Sequence, residues 1–170
     1  MTTNPDDRTV FPSAPISWRL QVIGWSAILV ILALLIWLPR AVRMPTTNSA
    51  LFFVFIAGIL FIAWLMNPRK LILTRDRLII ERFLLPISLP RDSMSEARIQ
   101  PEAMTPSLRV CGNGGFFAWV GWFYKKEFGL YRAYVTDSKK TVVFRAGKRI
   151  CVVSPADPEA FIECLQRSTY

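Results

Sequence analysis

Two apolar runs dominate the amino-terminal half of this chain, and they limit what it can fold into. From Trp18 to Leu38 the sequence WRLQVIGWSAILVILALLIWL carries one charge, Arg19, at its rim. From Ala50 to Met66, ALFFVFIAGILFIAWLM carries none. At about 1.5 Å per helical residue the first run matches a hydrocarbon core of about 30 Å, and the second stands near the lower end of the spanning range. A helix that is apolar on every side must be wrapped by protein or by lipid, and the rest of a 170-residue chain is too small to wrap two. The sequence therefore predicts a membrane protein: a two-helix transmembrane hairpin, with helices 18–38 and 50–66, joined to a mainly-β soluble domain. Trp18, Trp25, Trp37 and Trp64 suit the interfaces, and Arg19 can snorkel to the headgroups.

A cleaved leader fits the first run poorly. The run begins late, Asp6 and Asp7 precede it, its apolar stretch exceeds that of a leader, and no small-residue site stands before Pro39. Neither run has an interior charge, a GxxxG pair or a proline break, so the hairpin reads as an anchor and not as a conduit. The connection Pro39–Ser49 holds Arg40 and Arg43, whereas Arg69, Lys70, Arg75, Arg77 and Arg82 follow the second run. That bias predicts both termini on the cytoplasmic side, with residues 1–17 as a cytoplasmic tail and the connection facing outward.

Charge and missing residue types narrow the chemistry. Lys and Arg number 21 against 12 acids, a net charge of +9, and beside two apolar runs such basicity points to a membrane surface and not to nucleic acid. With no histidine, the chain has no His general base, no Ser-His-Asp arrangement and few routes to a catalytic zinc. Glu81, Glu96 and Glu127 fall on separate elements, and nothing in the sequence makes two of them converge. Cys111, Cys151 and Cys164 lie far apart and read as reduced packing residues. The expectation is no enzyme, no catalytic residue, no metal and no cofactor.

After Asn67-Pro68 the pattern changes to short β-rich runs separated by turn residues. Strands are predicted at Lys70–Thr74, Leu78–Phe83, Ile87–Leu89, Ala97–Gln100, Ser107–Cys111, Phe128–Thr136, Thr141–Arg145 and Ile150–Val153. Asp137–Lys140 and Ala146–Arg149 read as hairpin loops, which predicts an antiparallel meander at the carboxyl end. A closing helix follows, with Ser154 as N-cap, Pro155 at its first position, Asp157 in a capping box, and Phe161, Ile162 and Leu165 on one face.

Two apolar spans, then TDSKKTVVF (Thr136–Phe144) and GKRICVVSPADPEAF (Gly147–Phe161), resemble the bacterial pleckstrin-homology-like (PH) domain family, over about Arg69–Arg167. The resemblance implies a seven-stranded, strongly bent β-sandwich or barrel, over 69–170, capped by the carboxyl-terminal α-helix. It also implies tethering to the bacterial inner membrane, as in many members, and a binding role with no ligand dictated by the fold. Lys70, Arg75 and Arg77 lie where relatives in fold carry a headgroup motif. Asp76 interrupts them, and one strand length holds that turn about 17 Å from the bilayer, so a solvated turn is the simpler reading.

The segment Cys111–Lys126, CGNGGFFAWVGWFYKK, combines glycines, large aromatics and a lysine pair. Its glycines fit neither a dinucleotide fingerprint nor a phosphate loop. Phe116, Phe117, Trp119, Trp122, Phe123, Lys125 and Lys126 are candidates for lipid or partner contact, since rings at headgroup depth beside lysines suit an anionic interface. Packing of Trp119, Trp122 and Phe123 into the core is the competing reading. Two functions follow. One is an integral membrane protein presenting a binding module to the bilayer, to anionic lipid or to a membrane-protein partner. The alternative is a non-catalytic structural subunit of an inner-membrane complex.

Overall fold

The computed structural model of the chain describes residues 8–41 and 46–167. The first residues of the amino-terminal tail, the part of the Pro39–Ser49 connection holding Arg43, and the residues after Arg167 lie outside the described residues. Helix α1 spans Trp18–Ala41 and α2 spans Thr46–Leu65. Arg40, expected in the connection, instead lies in the last turn of α1, where its guanidinium donates to Ile36 O at 2.6 Å. A cation in the last turn also suits the negative end of the helix dipole. Among the described residues one stretch, Trp18–Leu38, is long and apolar enough to cross a membrane by length and composition; the apolar part of α2, Ala50–Leu65, is shorter. Most side chains of both helices are exposed, which sets α1 apart from the buried core helix of a soluble protein.

Ten strands and a third α-helix make up the rest of the described residues. A four-stranded antiparallel sheet has the order β1 (Thr9–Pro12), β2 (Pro68–Leu73), β3 (Arg77–Arg82), β4 (Ile87–Pro90). A six-stranded sheet contains β5 (Met94–Ile99), β6 (Leu108–Gly114), β7 (Trp119–Lys125), β8 (Gly129–Val135), β9 (Val142–Ala146) and β10 (Arg149–Val153), in the order β5-β9-β10-β8-β7-β6. The mainly-β expectation holds. The strand count exceeds the seven that the resemblance implies, and two of the ten strands lie where the sequence predicted none. One is β1, within the presumed tail; the other is β7, within the segment read as a loop.

The carboxyl-terminal meander is also corrected. β9 and β10 form the expected hairpin, but β8 and β9 do not pair: β10 lies between them and runs parallel to β8. Asp137–Lys140 is thus a crossover, turned by the 3-10 segment Ser138–Lys140, with Asp137 Oδ1 accepting from Lys139 N at 3.0 Å.

Between the two sheets lies a core of Leu71, Leu73, Leu78, Ile80, Val120, Tyr134, Phe144, Cys151 and Val153, which α3 (Pro158–Arg167) closes with Phe161 and Leu165. Spacing of four residues puts those two on one face, as expected. The helix start differs from the sequence reading. Asp157, not Ser154, is the cap, accepting from Ala160 N at 3.0 Å, and Pro158 takes the first position. SPADP holds two start signals, and the buried backbone decides between them. Ser154 Oγ is already committed to Thr136 N at 2.8 Å. A second cluster, with Phe123, Phe128, Tyr131, Val135 and Val152, covers the opposite face of the larger sheet beneath Ala103 and Met104.

The two ends of the helical pair meet in the smaller sheet. β1 precedes α1 directly, β2 follows α2 directly, and the two strands pair antiparallel from Thr9↔Leu73 to Pro12↔Lys70. Phe11 of β1 packs edge-on against Phe161 of α3 at 5.4 Å, and Ala14 N donates to Ser154 O at 2.8 Å.

Candidate functional site

The segment Cys111–Lys126 is a β-hairpin. Its strands pair in register Gly112↔Gly121 and Gly114↔Trp119, with a tip at Gly115–Ala118. Asn113 shapes the tip: its amide donates to Phe116 O at 2.8 Å and its carbonyl accepts from Phe116 N at 2.9 Å. Gly112 and Gly121 face each other across the strands with φ of +117° and +139°. A Cβ on either would lie 2.2–2.3 Å from the other strand's carbonyl oxygen, so no other residue fits this crossing. The near-symmetric placement of these glycines about Phe116-Phe117 is a sequence signal that could have revealed the hairpin.

The tip reaches the helices. Phe117 packs edge-on against Trp25 of α1 at 5.7 Å and against Phe116 at 4.8 Å, and its ring occupies the space a side chain on Gly24 would need. Trp25 is about 10 Å along the helix from Trp18, at 1.5 Å per residue. Beneath the tip, Leu20 is fully buried. Asn113 also reaches Asn67 Oδ1, just past α2, at 3.4 Å.

A second turn meets the other helix. Phe83, after β3, stacks on Trp64 of α2 at 5.1 Å and carries the Arg69 guanidinium over its ring at 4.0 Å. Leu84 N donates to Leu65 O at 3.3 Å, and Arg82 closes the turn on Leu85 O. Phe83, Leu84 and Leu85 are all exposed, Leu85 by 70%. Two apolar projections of the β-domain therefore flank the domain-side ends of α1 and α2 and extend the apolar surface of the helices.

The other predicted site residues separate by strand alternation. Phe123 is buried in the second cluster, against which the half-buried Trp119 packs. Lys125 is buried too: its ammonium donates to the carbonyls of Ala103 at 3.2 Å and Thr105 at 3.1 Å, pairs with Glu127 at 3.5 Å, and lies over the Phe128 ring. Lys126 is exposed at the far end of β7 from the tip. Trp122 is half-buried, with the guanidinium groups of Arg132 and Arg149 at 4.8 and 5.2 Å from its ring. The structure thus joins Phe117 to α1, with Phe116 packed against it, and leaves Trp122, Phe123, Lys125 and Lys126 elsewhere. Sequence reasoning missed the stacking of Phe83 on Trp64 and the two arginines on Trp122, because each pairing joins side chains on different elements.

The comparisons with known proteins agree with this architecture. A model of the family described as "Bacterial PH domain" matches residues 69–169. The chain belongs to the bacterial PH domain family. No curated protein and no solved structure matches it. The PH domain match begins after α2, so β1 and both apolar helices lie outside the matched region and yet pack on it. Membership of the family supports a binding module. Among the described residues no group of three or more potential ligands could hold a metal ion.

Proposed function

We propose that this protein anchors its PH domain to the bacterial inner membrane through the α1–α2 hairpin and binds lipid at the membrane surface with the Phe116–Phe117 tip and the Phe83–Leu85 turn. The observation that carries the reading is the contact of both projections with the helix segments nearest the domain, Trp25 and Trp64. Rings packed there on spanning helices stand at headgroup and upper acyl depth, where amphipathic and aromatic groups are favoured. Arg69 over Phe83 adds a cation beside that apolar turn.

The pairing of β1 with β2 supports two crossings. A chain that leaves the domain at β1 and returns to the adjacent strand at β2 must return to the side it left. The full α2 helix, Thr46–Leu65, is about 30 Å long, enough to complete the return. The same pairing argues against a cleaved leader, since cleavage after α1 would remove β1 and with it Phe11 from the core.

Full-length protein carrying a photoreactive amino acid tests the lipid contact. In native membranes, crosslinkers at Phe116 or Leu85 are expected to form lipid adducts, while one at Tyr124, at the far end of β7, forms none. Release of the chain by alkaline carbonate, or adducts at Tyr124 but not at Phe116, overturns the reading. Protein adducts at both projections in place of lipid adducts would favour the structural-subunit alternative.

A further inference from the structure

Between the two sheets, at the turn of the β9–β10 hairpin, lies a cleft of about 290 Å³. Leu89, Pro90 and Ser93 form one wall; Arg132, Lys148 and Arg149 supply its polar lining, with Cys151 among the remaining residues. No carboxylate lines it. None of the described ion pairs includes Arg132, Lys148 or Arg149.

The register explains why the cations converge. Arg132 on β8 stands opposite Trp122 on β7 and opposite Cys151 on β10, and Arg149 lies two residues before Cys151 on the same strand face. Both guanidiniums rest on the one indole, which restrains two long side chains before any ligand arrives. Cys151 does not neutralise them: burial pushes its thiol up to about 11, so it stays protonated near neutral pH. Arg82, at the end of β3, adds another positive charge nearby: its pKa is lowered chiefly by burial, with the charge of Arg132 a smaller contribution. Like charges brought together without a carboxylate repel, and an anion between them removes the repulsion while accepting charge-assisted hydrogen bonds.

We propose that this cleft is an anion site for a phosphate group, gripped by Arg132, Arg149 and Lys148 with Trp122 as the platform that orders the two guanidiniums. A planar guanidinium presents paired donors that match phosphate oxygens, and the cleft has room for a phosphate with a small substituent. The site is separate from the Arg75–Arg77 turn between β2 and β3, and from the Phe116–Phe117 tip. It does not depend on the membrane reading, because the test needs no bilayer.

Full-length protein in a neutral detergent is titrated with inorganic phosphate, and separately with dihexanoyl phosphatidic acid, following the thermal midpoint and the binding isotherm. Saturable binding of phosphate identifies a free phosphate compound as the ligand source; saturable binding of phosphatidic acid alone identifies a lipid headgroup. Arg132→Gln with Arg149→Gln is expected to weaken binding by about tenfold or more for each lost contact, and Arg75→Gln with Arg77→Gln to leave it unchanged. If the first pair of changes prevents folding, Lys148→Gln on the exposed turn still weakens binding, and Arg149→Lys retains part of it. Absence of saturation with both probes at millimolar concentration, an equal midpoint rise with sodium chloride of matched ionic strength, or wild-type binding by the Arg132/Arg149 and Lys148 variants overturns the proposal.

Discussion

At Gly121 a single hydrogen atom in place of a methyl group decides whether the hairpin closes. Its φ of +139° disfavours any side chain, and a Cβ there would sit 2.2 Å from Cys111 O. Backbone strain and overpacking add at such a position, so Gly121→Ala is expected to cost about 2–5 kcal/mol, read as a fall in the thermal unfolding midpoint of the full chain in detergent. Gly58→Ala, in α2 with open space around it, is the control and should leave the midpoint nearly unchanged or raise it slightly. Individual residues were only partly legible in the sequence. Phe161 and Leu165 were placed on the core by their spacing alone. The same aromatic character in Phe117 and Phe123 gave no warning that one reaches a helix and the other the interior, because strand alternation acts only once β7 is known to be a strand.

Among the elements, β1 has the least local support and the largest architectural effect. Thr9–Pro12 is short, ends in proline and has no alternating apolar pattern, so nothing within it announces a strand. Its stability comes from outside: β2 offers an open edge, Phe161 offers a ring for Phe11, and Ala156 N donates to Pro12 O at 2.9 Å. Phe11→Ala is therefore expected to destabilise the whole domain by about 2–4 kcal/mol, toward the low end because Phe11 is only half-buried. Hydrogen exchange checks the route as well as the size, since protection should fall in β2 and α3 together. A loss confined to residues 9–12 would mean that the strand is an ornament on an independently stable domain. The helix start at Pro158 belongs to the same scale. Two capping signals compete within SPADP, and the hydrogen bond that Thr136 N needs removes Ser154 from the competition.

For the whole molecule, the coupling of the helical pair to the domain is the consequence of these pairings. β1 ties the entry to α1, Asn113 and Leu84 tie the domain to the exit of α2, and Phe117 lies against α1, so the domain is held against the helices at several points and not by a flexible linker. On the proposed function, such a clamp fixes which face the domain turns toward the bilayer. Reporters fused before residue 8 and after residue 167 are expected to report the same side, and labelling of a cysteine introduced into the Pro39–Ser49 connection the opposite one; reporters on opposite sides would break the two-crossing topology. By itself the sequence determined the two apolar helices, the mainly-β character of the rest, the covered face of α3 and the absence of histidine chemistry. Each of these follows from local composition or from a period of two or four residues, which a linear reading can detect. Only the tertiary structure decided that the tail supplies a strand, that β10 separates β8 from β9, and which aromatic rings meet the two apolar helices. Those outcomes depend on which distant backbone edges and ring faces remain unsatisfied after the local elements form, and no window along the chain contains both partners.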